Sequence, residues 1–320
     1  MRIVFHGENA ASFREGFETL VPEAEIAVVS EVPRSGPETD AYQTAEVLVA
    51  TRFGAGLPRP ERLRLLHLPA AGYDGIDFGA LPPGALVCNC FGHEHAIAEY
   101  VMAALLRRTV PLEDADQRLR RGEWAYWAGT RGRLHAELGG STIGLLGFGH
   151  IGKAVATRAR AFGMRVHAAN RSAVEGVDRY FPLSELGSFW SSADHFVVTL
   201  PLIPETRGIV GAEAFRAMRP HAVLINVARG PVVDEQALYD ALRGGRIAGA
   251  VIDTWYRYPS AEEKRPMPGH LPFHDLPNVL MTPHMSGWTL GTITRRQRTI
   301  AENIGRRWRG EPCLNVLHGS

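Results

Sequence analysis

Residues 141–170 carry the feature that most restricts what this chain can fold into. An apolar run, Ser-Thr-Ile-Gly-Leu-Leu, leads into Gly147-Phe148-Gly149-His150-Ile151-Gly152; a helix-forming segment follows at 153–162 and a second apolar run at 164–169. Six residues of GxGxxG spacing say little alone, but between a strand and a helix, with another strand behind them, they define a βαβ unit. The first glycine permits the tight turn, the second lets a pyrophosphate approach the backbone, and the third lets the helix pack on the strand. Free N–H groups and a positive dipole end at the helix start complete an anion site, with His150 and Ile151 inside it. This pattern predicts a dinucleotide-binding turn.

The residue that closes the second strand bears on which dinucleotide fits. An acidic side chain there accepts hydrogen bonds from a ribose 2′-OH and repels a 2′-phosphate. The position, eighteen residues after Gly152, holds Asn170, and Arg171 and Ser172 follow it. A cation and a hydroxyl in place of a carboxylate favour NADP(H), while an arginine that only stacks beside the adenine leaves NAD(H) usable.

Strand-length apolar runs alternate with helix-period segments along most of the chain. Five lie near the start, at 2–6, 25–30, 46–51, 64–68 and 86–89, and predict a small α/β layer with a parallel sheet. A long helix is expected over 96–107, where Ile97, Val101 and Leu105 recur on one face. Six further runs, at 142–146, 164–169, 195–200, 222–227, 248–253 and 279–282, predict a doubly wound sheet. Residues 256–277 hold five prolines without periodicity and are expected to be a loop, of a length usually functional or mobile. The segment 289–308 predicts a helix rich in arginine (Arg295, Arg296, Arg298, Arg306, Arg307), read as a solvated face packed back on the first domain in preference to an anion-attracting one.

At 320 residues, two domains are expected. With 35 basic and 34 acidic residues, the net charge of +1 does not suggest a nucleic-acid or membrane-surface protein. The first residues read as a strand and not as a signal peptide, and no stretch has the length of a membrane span, so the expected location is cytoplasmic. Three cysteines argue against a disulfide framework; Cys88 and Cys90 read as buried strand thiols. His93 and His95 are too little for a zinc site without further ligands, and no metal is expected.

The chain resembles the D-isomer-specific 2-hydroxyacid dehydrogenases from about residue 66 to 316. The likeness is carried by Ala71-Gly72-Tyr73-Asp74-Gly75-Ile76-Asp77, Ala96-Ile97-Ala98-Glu99, Leu119-Arg120-Arg121-Gly122-Glu123-Trp124 and the glycine turn. It continues through Leu200-Pro201-Leu202-Ile203-Pro204-Glu205-Thr206, Asn226-Val227-Ala228-Arg229-Gly230, Asp253 and Thr282-Pro283-His284. The resemblance implies an α/β fold of two domains: a Rossmann-type doubly wound sheet for the cofactor (99–288) and a smaller flavodoxin-like substrate domain (1–98 with 289–320). It also implies a homodimer and a glyoxylate/hydroxypyruvate reductase-like activity on a small D-2-hydroxy acid/2-oxo acid pair. It places Leu200, Pro201, Thr206, Val227, Ala228 and Gly287 with the cofactor, and Asp253 at the carboxamide end of its ring.

Such chemistry asks for a cation to hold and polarise an oxo acid and for a group that titrates in the right range. Arg229, at the end of an apolar strand, offers the planar permanent charge. His284 matches the family's acid/base. The expected carboxylate grip is the backbone of Ala71 and Gly72, where glycine allows close approach, with Arg52 a further charge. Arg52, Phe53, Trp288 and the 256–277 loop are the expected determinants of side-chain specificity, across a cleft that closes to exclude water. His93 stands where many relatives carry asparagine and is left with two roles, acid/base or hydrogen bonding.

One departure concerns the carboxylate expected beside the histidine. The family pattern Asp-Val-Phe-x-x-Glu-Pro reads here Asp253-Thr254-Trp255-Tyr256-Arg257-Tyr258-Pro259, so Tyr258 stands in place of the glutamate. Without it, His284 is expected to titrate near or below ~6.5 unless Glu262, Glu263 or another group substitutes, and reduction is expected to be fastest on the acidic side of neutrality. Two alternatives stay open: a dinucleotide-binding sensor or scaffold that has lost useful chemistry, and formate dehydrogenase-like hydride transfer, which needs no proton partner and whose relatives share the character of Trp255 and of 286–290.

Overall fold

Short, mostly apolar strands form two sheets, each parallel apart from one antiparallel edge in the first, as expected where both faces of a sheet are covered. The computed structural model describes residues 1–34, 36–129, 131–260 and 262–319. Its contacts divide the chain into two compact units, Met1–Gly92 with Trp288–Ser320, and His93–Gly287.

In the first unit, β1 (Arg2–His6), β2 (Glu25–Val29), β3 (Val47–Ala50), β4 (Leu65–His67) and β5 (Leu86–Cys88) run parallel in the order β2-β1-β3-β4-β5. That is the flavodoxin-like order. Val316–His318 adds an antiparallel edge on β5, an element the sequence pattern did not predict. Cys88 and Cys90 are buried, and burial pushes both thiols up to about 12, away from thiolate chemistry.

Helix Leu290–Arg309 starts on the Thr289 side chain, which accepts the N–H of Thr292, and ends on left-handed Gly310. Its Ile300 and Ile304 pack with Ile3, Phe5, Leu65 and Cys88. The expectation of a solvated arginine face needs correcting here. Arg296 is only 8% exposed and donates to the carbonyls of Pro69 (3.0 Å) and Phe91 (3.3 Å), while Arg295 donates to Gly92 (2.7 Å). These guanidinium groups brace the chain just beyond the carboxyl ends of β4 and β5, because each loop leaves carbonyls without a strand partner.

The second unit holds β6 (Thr142–Leu146), β7 (Arg165–Asn170), β8 (Arg179–Pro182), β9 (His195–Val198), β10 (Val223–Asn226), β11 (Gly249–Ile252) and β12 (Val279–Met281). All are parallel, in the order β8-β7-β6-β9-β10-β11-β12. Among the described residues, the six strands expected from the sequence are therefore seven. The order reverses between β6 and β9, the switch point at whose carboxyl edge ligands of doubly wound sheets bind. Helix Glu94–Thr109 opens the unit and buries Ile97, Val101 and Leu105 against β6 and Val155 of helix His150–Ala161.

The described residues of the 256–277 segment are tied to their own unit. The N–H groups of Tyr256 and Arg257 donate to Pro268 O, the Tyr256 hydroxyl to Val233 O, and those of His270 and Leu271 to the carboxylate of Glu235, while Phe273 is buried. Among the described residues, no helix is long and apolar enough to cross a membrane.

Candidate active site

The glycine turn leaves β6 with Gly147 at φ +100, a left-handed conformation, and a Cβ there would lie 2.8 Å from the Thr199 hydroxyl oxygen. A Cβ on Gly152 would lie 2.6 Å from the carbonyl oxygen of Gly147, so the helix must approach the strand through a glycine. Gly149 differs: nothing lies within 4 Å of the Cβ it lacks. The outer two glycines thus serve internal packing, and the middle one faces open space at the start of helix His150–Ala161, which has no side-chain cap. That is the cradle an anionic pyrophosphate needs, and the residues present fit a dinucleotide.

At the end of β7, Asn170 and the exposed Arg171 and Ser172 stand where an acidic residue would select a ribose hydroxyl. The Asn170 amide donates to Ser172 O at 3.0 Å, which folds the three residues into one turn. Beyond β9, Thr206 is buried and its hydroxyl donates to Pro201 O (2.6 Å) while accepting the N–H of Ile203 (2.9 Å). Its role is to shape the 200–206 turn, which starts from nearly buried Leu200.

The ends of β10, β11 and β12 carry the polar groups. After β10, the Asn226 side chain accepts the N–H of Ala228 and donates to Arg229 O, so Val227 and Ala228 are buried while the half-buried Arg229 leads into a short turn of 3₁₀ helix. Gly230 is required next, because a Cβ would collide with the backbone carbonyl of Trp255. Asn226 and Gly230 both stand in the motif that carries the family resemblance, but neither is among the site residues expected from the sequence.

After β11, the carboxylate of Asp253, fully buried, accepts the Thr282 hydroxyl (2.6 Å) and the Met285 N–H (2.9 Å) on Oδ1 and the Ser286 N–H (3.0 Å) on Oδ2. The Tyr100 hydroxyl donates in turn to Thr282 Oγ1 at 2.7 Å; burial pushes that phenol up to about 12, which keeps it a donor. The indole N–H of Trp255 donates to Thr282 O at 2.8 Å. These bonds build the turn that holds His284 at φ +58, a left-handed conformation uncommon for a side-chain-bearing residue and tolerated better by histidine than by most. Gly287 then passes close to helix Glu94–Thr109, where a Cβ would lie 3.3 Å from that of His93.

His284 is exposed, and its Nδ1 lies 3.0 Å from the Tyr258 hydroxyl, which also accepts the backbone N–H of Trp255 at 3.0 Å. Glu262 and Glu263, the carboxylates weighed as substitutes, hydrogen-bond Ser260 and Arg257. His93 occupies the position before helix Glu94–Thr109 without a side-chain capping bond, and its Nδ1 lies 3.8 Å from a Glu94 carboxylate oxygen. No cluster of His, Cys, Asp and Glu suited to a metal ion occurs among the described residues.

In the first unit, Ala71 and Gly72 are half-buried beyond β4, and Ala71 O accepts the Asn89 amide at 2.7 Å. Arg52 is exposed beyond β3. Its segment is fixed by Phe53, whose N–H donates to Gly75 O (3.1 Å) and whose O accepts the Asp77 N–H (2.8 Å). Trp288 is 46% exposed, with its ring edge-on to Phe13 at 5.8 Å.

A doubly wound sheet with a fitted pyrophosphate turn, and with arginine, aspartate and histidine at the carboxyl ends of three successive strands, defines a nicotinamide-dependent oxidoreductase. The family model for the NAD-binding domain of D-isomer specific 2-hydroxyacid dehydrogenases matches residues 101–286, and the chain belongs to that family. It is 35% identical to a glyoxylate reductase of Korarchaeum cryptofilum over 80% of this chain and 76% of that one. It is 32% identical to a D-3-phosphoglycerate dehydrogenase of Methanocaldococcus jannaschii over 87% of this chain, which spans about half (53%) of that relative. Among solved structures, an NADPH-dependent glyoxylate/hydroxypyruvate reductase of Sinorhizobium meliloti in complex with citrate superposes with a TM-score of 0.77 at 27% identity, covering 99% of this chain and 97% of that one.

Proposed function

We propose that the chain reduces a small 2-oxo acid to the D-2-hydroxy acid, with His284 as the acid/base, Arg229 as the cation that holds and polarises the substrate, and NADP(H) preferred over NAD(H). The observation that carries this reading is the shared sheet edge. Arg229, Asp253 and His284 follow β10, β11 and β12, which are successive neighbours, and the glycine turn follows β6 at the same edge. Strands in a sheet lie ~4.8 Å apart, so residues after β10 and β12 start about 10 Å apart, a span that an arginine and a histidine side chain cover between them.

The bound nicotinamide supplies the hydride. Arg229 offers a planar fork to the oxygens of an oxo acid. His284 holds the proton that the developing alkoxide requires. In the first unit, the backbone of Ala71 and Gly72 takes an anionic group and Arg52 adds charge. The preference for NADP(H) is supported by Asn170, Arg171 and Ser172 in place of a carboxylate. A homodimer is the proposed assembly, supported by exposed Leu112, Leu119, Trp124, Trp127 and Leu134 within one stretch of the second unit, and the cytoplasm is the proposed location.

The test is NADPH and NADH oxidation by the purified chain against glyoxylate, hydroxypyruvate, pyruvate and phenylpyruvate, with formate and NADP+ in a parallel arm. Turnover of an oxo acid supports the proposal. Cofactor binding without any turnover assigns a sensor, and turnover of formate alone assigns the other chemistry.

A further inference from the structure

We infer that Asn89 and Asn315 are positioning residues that aim the backbone grip for the acid group of the substrate. The inference rests on the reading of Ala71 and Gly72 as that grip, and it follows from the donors that hold the carbonyls of the same loop.

Beyond β4, the carbonyl of Ala70 accepts the backbone N–H of Cys90 at 3.3 Å, and that of Ala71 accepts the side-chain amide of Asn89 at 2.7 Å. Both donors sit side by side in the segment that follows β5. Among the described residues no peptide bond is cis, and in a trans peptide the C=O and the N–H point in opposite directions. The N–H groups of Ala71 and Gly72 therefore both face away from the Asn89–Cys90 segment. Neither donates to a backbone carbonyl among the described residues, and both residues are half-buried. Successive N–H groups turned to one side form a concavity suited to an anion. Donors fixed there in advance cost little ordering when a carboxylate arrives.

Turning the Ala71–Gly72 peptide over would point its N–H inward, and it would leave both the Ala71 carbonyl and the Asn89 amide without their partner. Asn89 is only 3% exposed, and its Oδ1 is buried with no hydrogen-bond partner among the described residues, so its side chain hydrogen-bonds through the amide nitrogen. Its backbone is held at both ends of the residue by Asn315: the Asn89 N–H donates to Asn315 O at 3.1 Å, and Asn89 O accepts Nδ2 of Asn315 at 3.3 Å. To reach both, Asn315 takes φ +53, a left-handed conformation that asparagine tolerates better than most residues. The preceding residue is anchored in turn, because the fully buried Asn303 of helix Leu290–Arg309 accepts the Leu314 N–H at 2.7 Å and donates to Leu314 O at 3.0 Å. A continuous line of hydrogen bonds thus runs from that helix through 314–315 and Asn89 to Ala71.

The experiment is calorimetric binding of oxamate, and of its uncharged counterpart oxamide, to the full chain loaded with NADPH. Asn89→Leu keeps the bulk of the side chain and removes the donor. Its Kd for oxamate is expected to rise on the order of tenfold, the worth of one hydrogen bond, with the Kd for oxamide and for NADPH unchanged. Asn315→Gly keeps the left-handed backbone and loses only the side-chain bond, so a smaller rise of about threefold is expected. With glyoxylate as substrate, KM should rise in both variants by more than kcat falls. An unchanged oxamate Kd in Asn89→Leu, or in Asn315→Gly should Asn89→Leu fail to fold, overturns the inference, and so does a parallel loss of NADPH affinity, which would mark a merely structural role. Gly72→Pro deletes one of the two N–H groups outright and separates the inference from the reading beneath it. Wild-type oxamate affinity in Gly72→Pro would sink the grip and the inference together, whereas lost affinity there beside unchanged affinity in Asn89→Leu would sink the inference alone.

Discussion

The carboxylate of Asp253 accepts the backbone N–H of Ser286 at 3.0 Å, and its other oxygen takes the neighbouring N–H of Met285, so one buried side chain fixes the turn on which His284 sits. This places Asp253 in the support of the proposed acid/base as well as at the cofactor position implied by family likeness. Asp253→Asn keeps the shape but sets an amide N–H₂ against one of these donors. A loss of about 1–3 kcal/mol of stability is expected, the usual effect of an unsatisfied buried group, together with a fall in kcat. Urea denaturation and initial rates check both; unchanged stability would mean that these hydrogen bonds do not hold the turn.

The glycines of the cofactor turn are expected to separate folding from binding. Gly147→Ala strains a left-handed residue by about 1–2 kcal/mol and crowds Thr199, so thermal stability should drop in the absence of any ligand. Gly149→Ala points its methyl into open space and should fold normally while weakening NADPH binding. Scanning calorimetry and fluorescence titration distinguish the two, and equal destabilisation by both would contradict the assignment.

Cofactor choice should turn on the end of β7. Asn170→Asp installs the carboxylate that accepts a ribose 2′-OH and repels a 2′-phosphate, so the ratio of kcat/KM for NADPH over NADH should fall roughly tenfold or more, about the worth of one charge-assisted hydrogen bond. A wild-type preference for NADH would refute the NADP(H) reading outright.

Two histidines should make the fold acid-sensitive. His67 is fully buried, donates from Nδ1 to Leu68 O and accepts the Asn303 amide on Nε2; burial pushes it down to about 4, and burial does the same to His195. Unfolded, each returns to 6.5, so between these values the unfolded chain binds more protons. Their contribution is complete above pH 6.5 and is lost as the pH falls through about 4. Urea midpoints measured above, within and below that window should decline with acid, and a flat profile would count against burial of the neutral rings.

The sheets were legible because parallel strands covered on both faces must be apolar throughout: 47–50 reads Val-Leu-Val-Ala and 223–226 reads Val-Leu-Ile-Asn. β8 escaped because an edge strand of Arg-Tyr-Phe-Pro has neither alternation nor an unbroken apolar run. Val316–His318 is as short, and its pairing depends on the chain's return to β5. Arg229 and His284 are singled out by their motifs, but the tasks of Arg296 and of the Asp253 carboxylate depend on carbonyls and N–H groups far away in sequence. The same holds for Tyr258: the sequence showed a missing carboxylate, while the hydroxyl's contact with Nδ1 is a matter of the fold.

The central claim, that Arg229 and His284 act on one substrate beside a bound nicotinamide, is tested most directly by steady-state kinetics and NADPH binding on His284→Gln and Arg229→Leu. The expected result is turnover of a 2-oxo acid by the wild type, with kcat/KM reduced roughly 10²–10⁴-fold in each variant while NADPH affinity is retained. Wild-type-like turnover in either variant, with cofactor still bound, would contradict it.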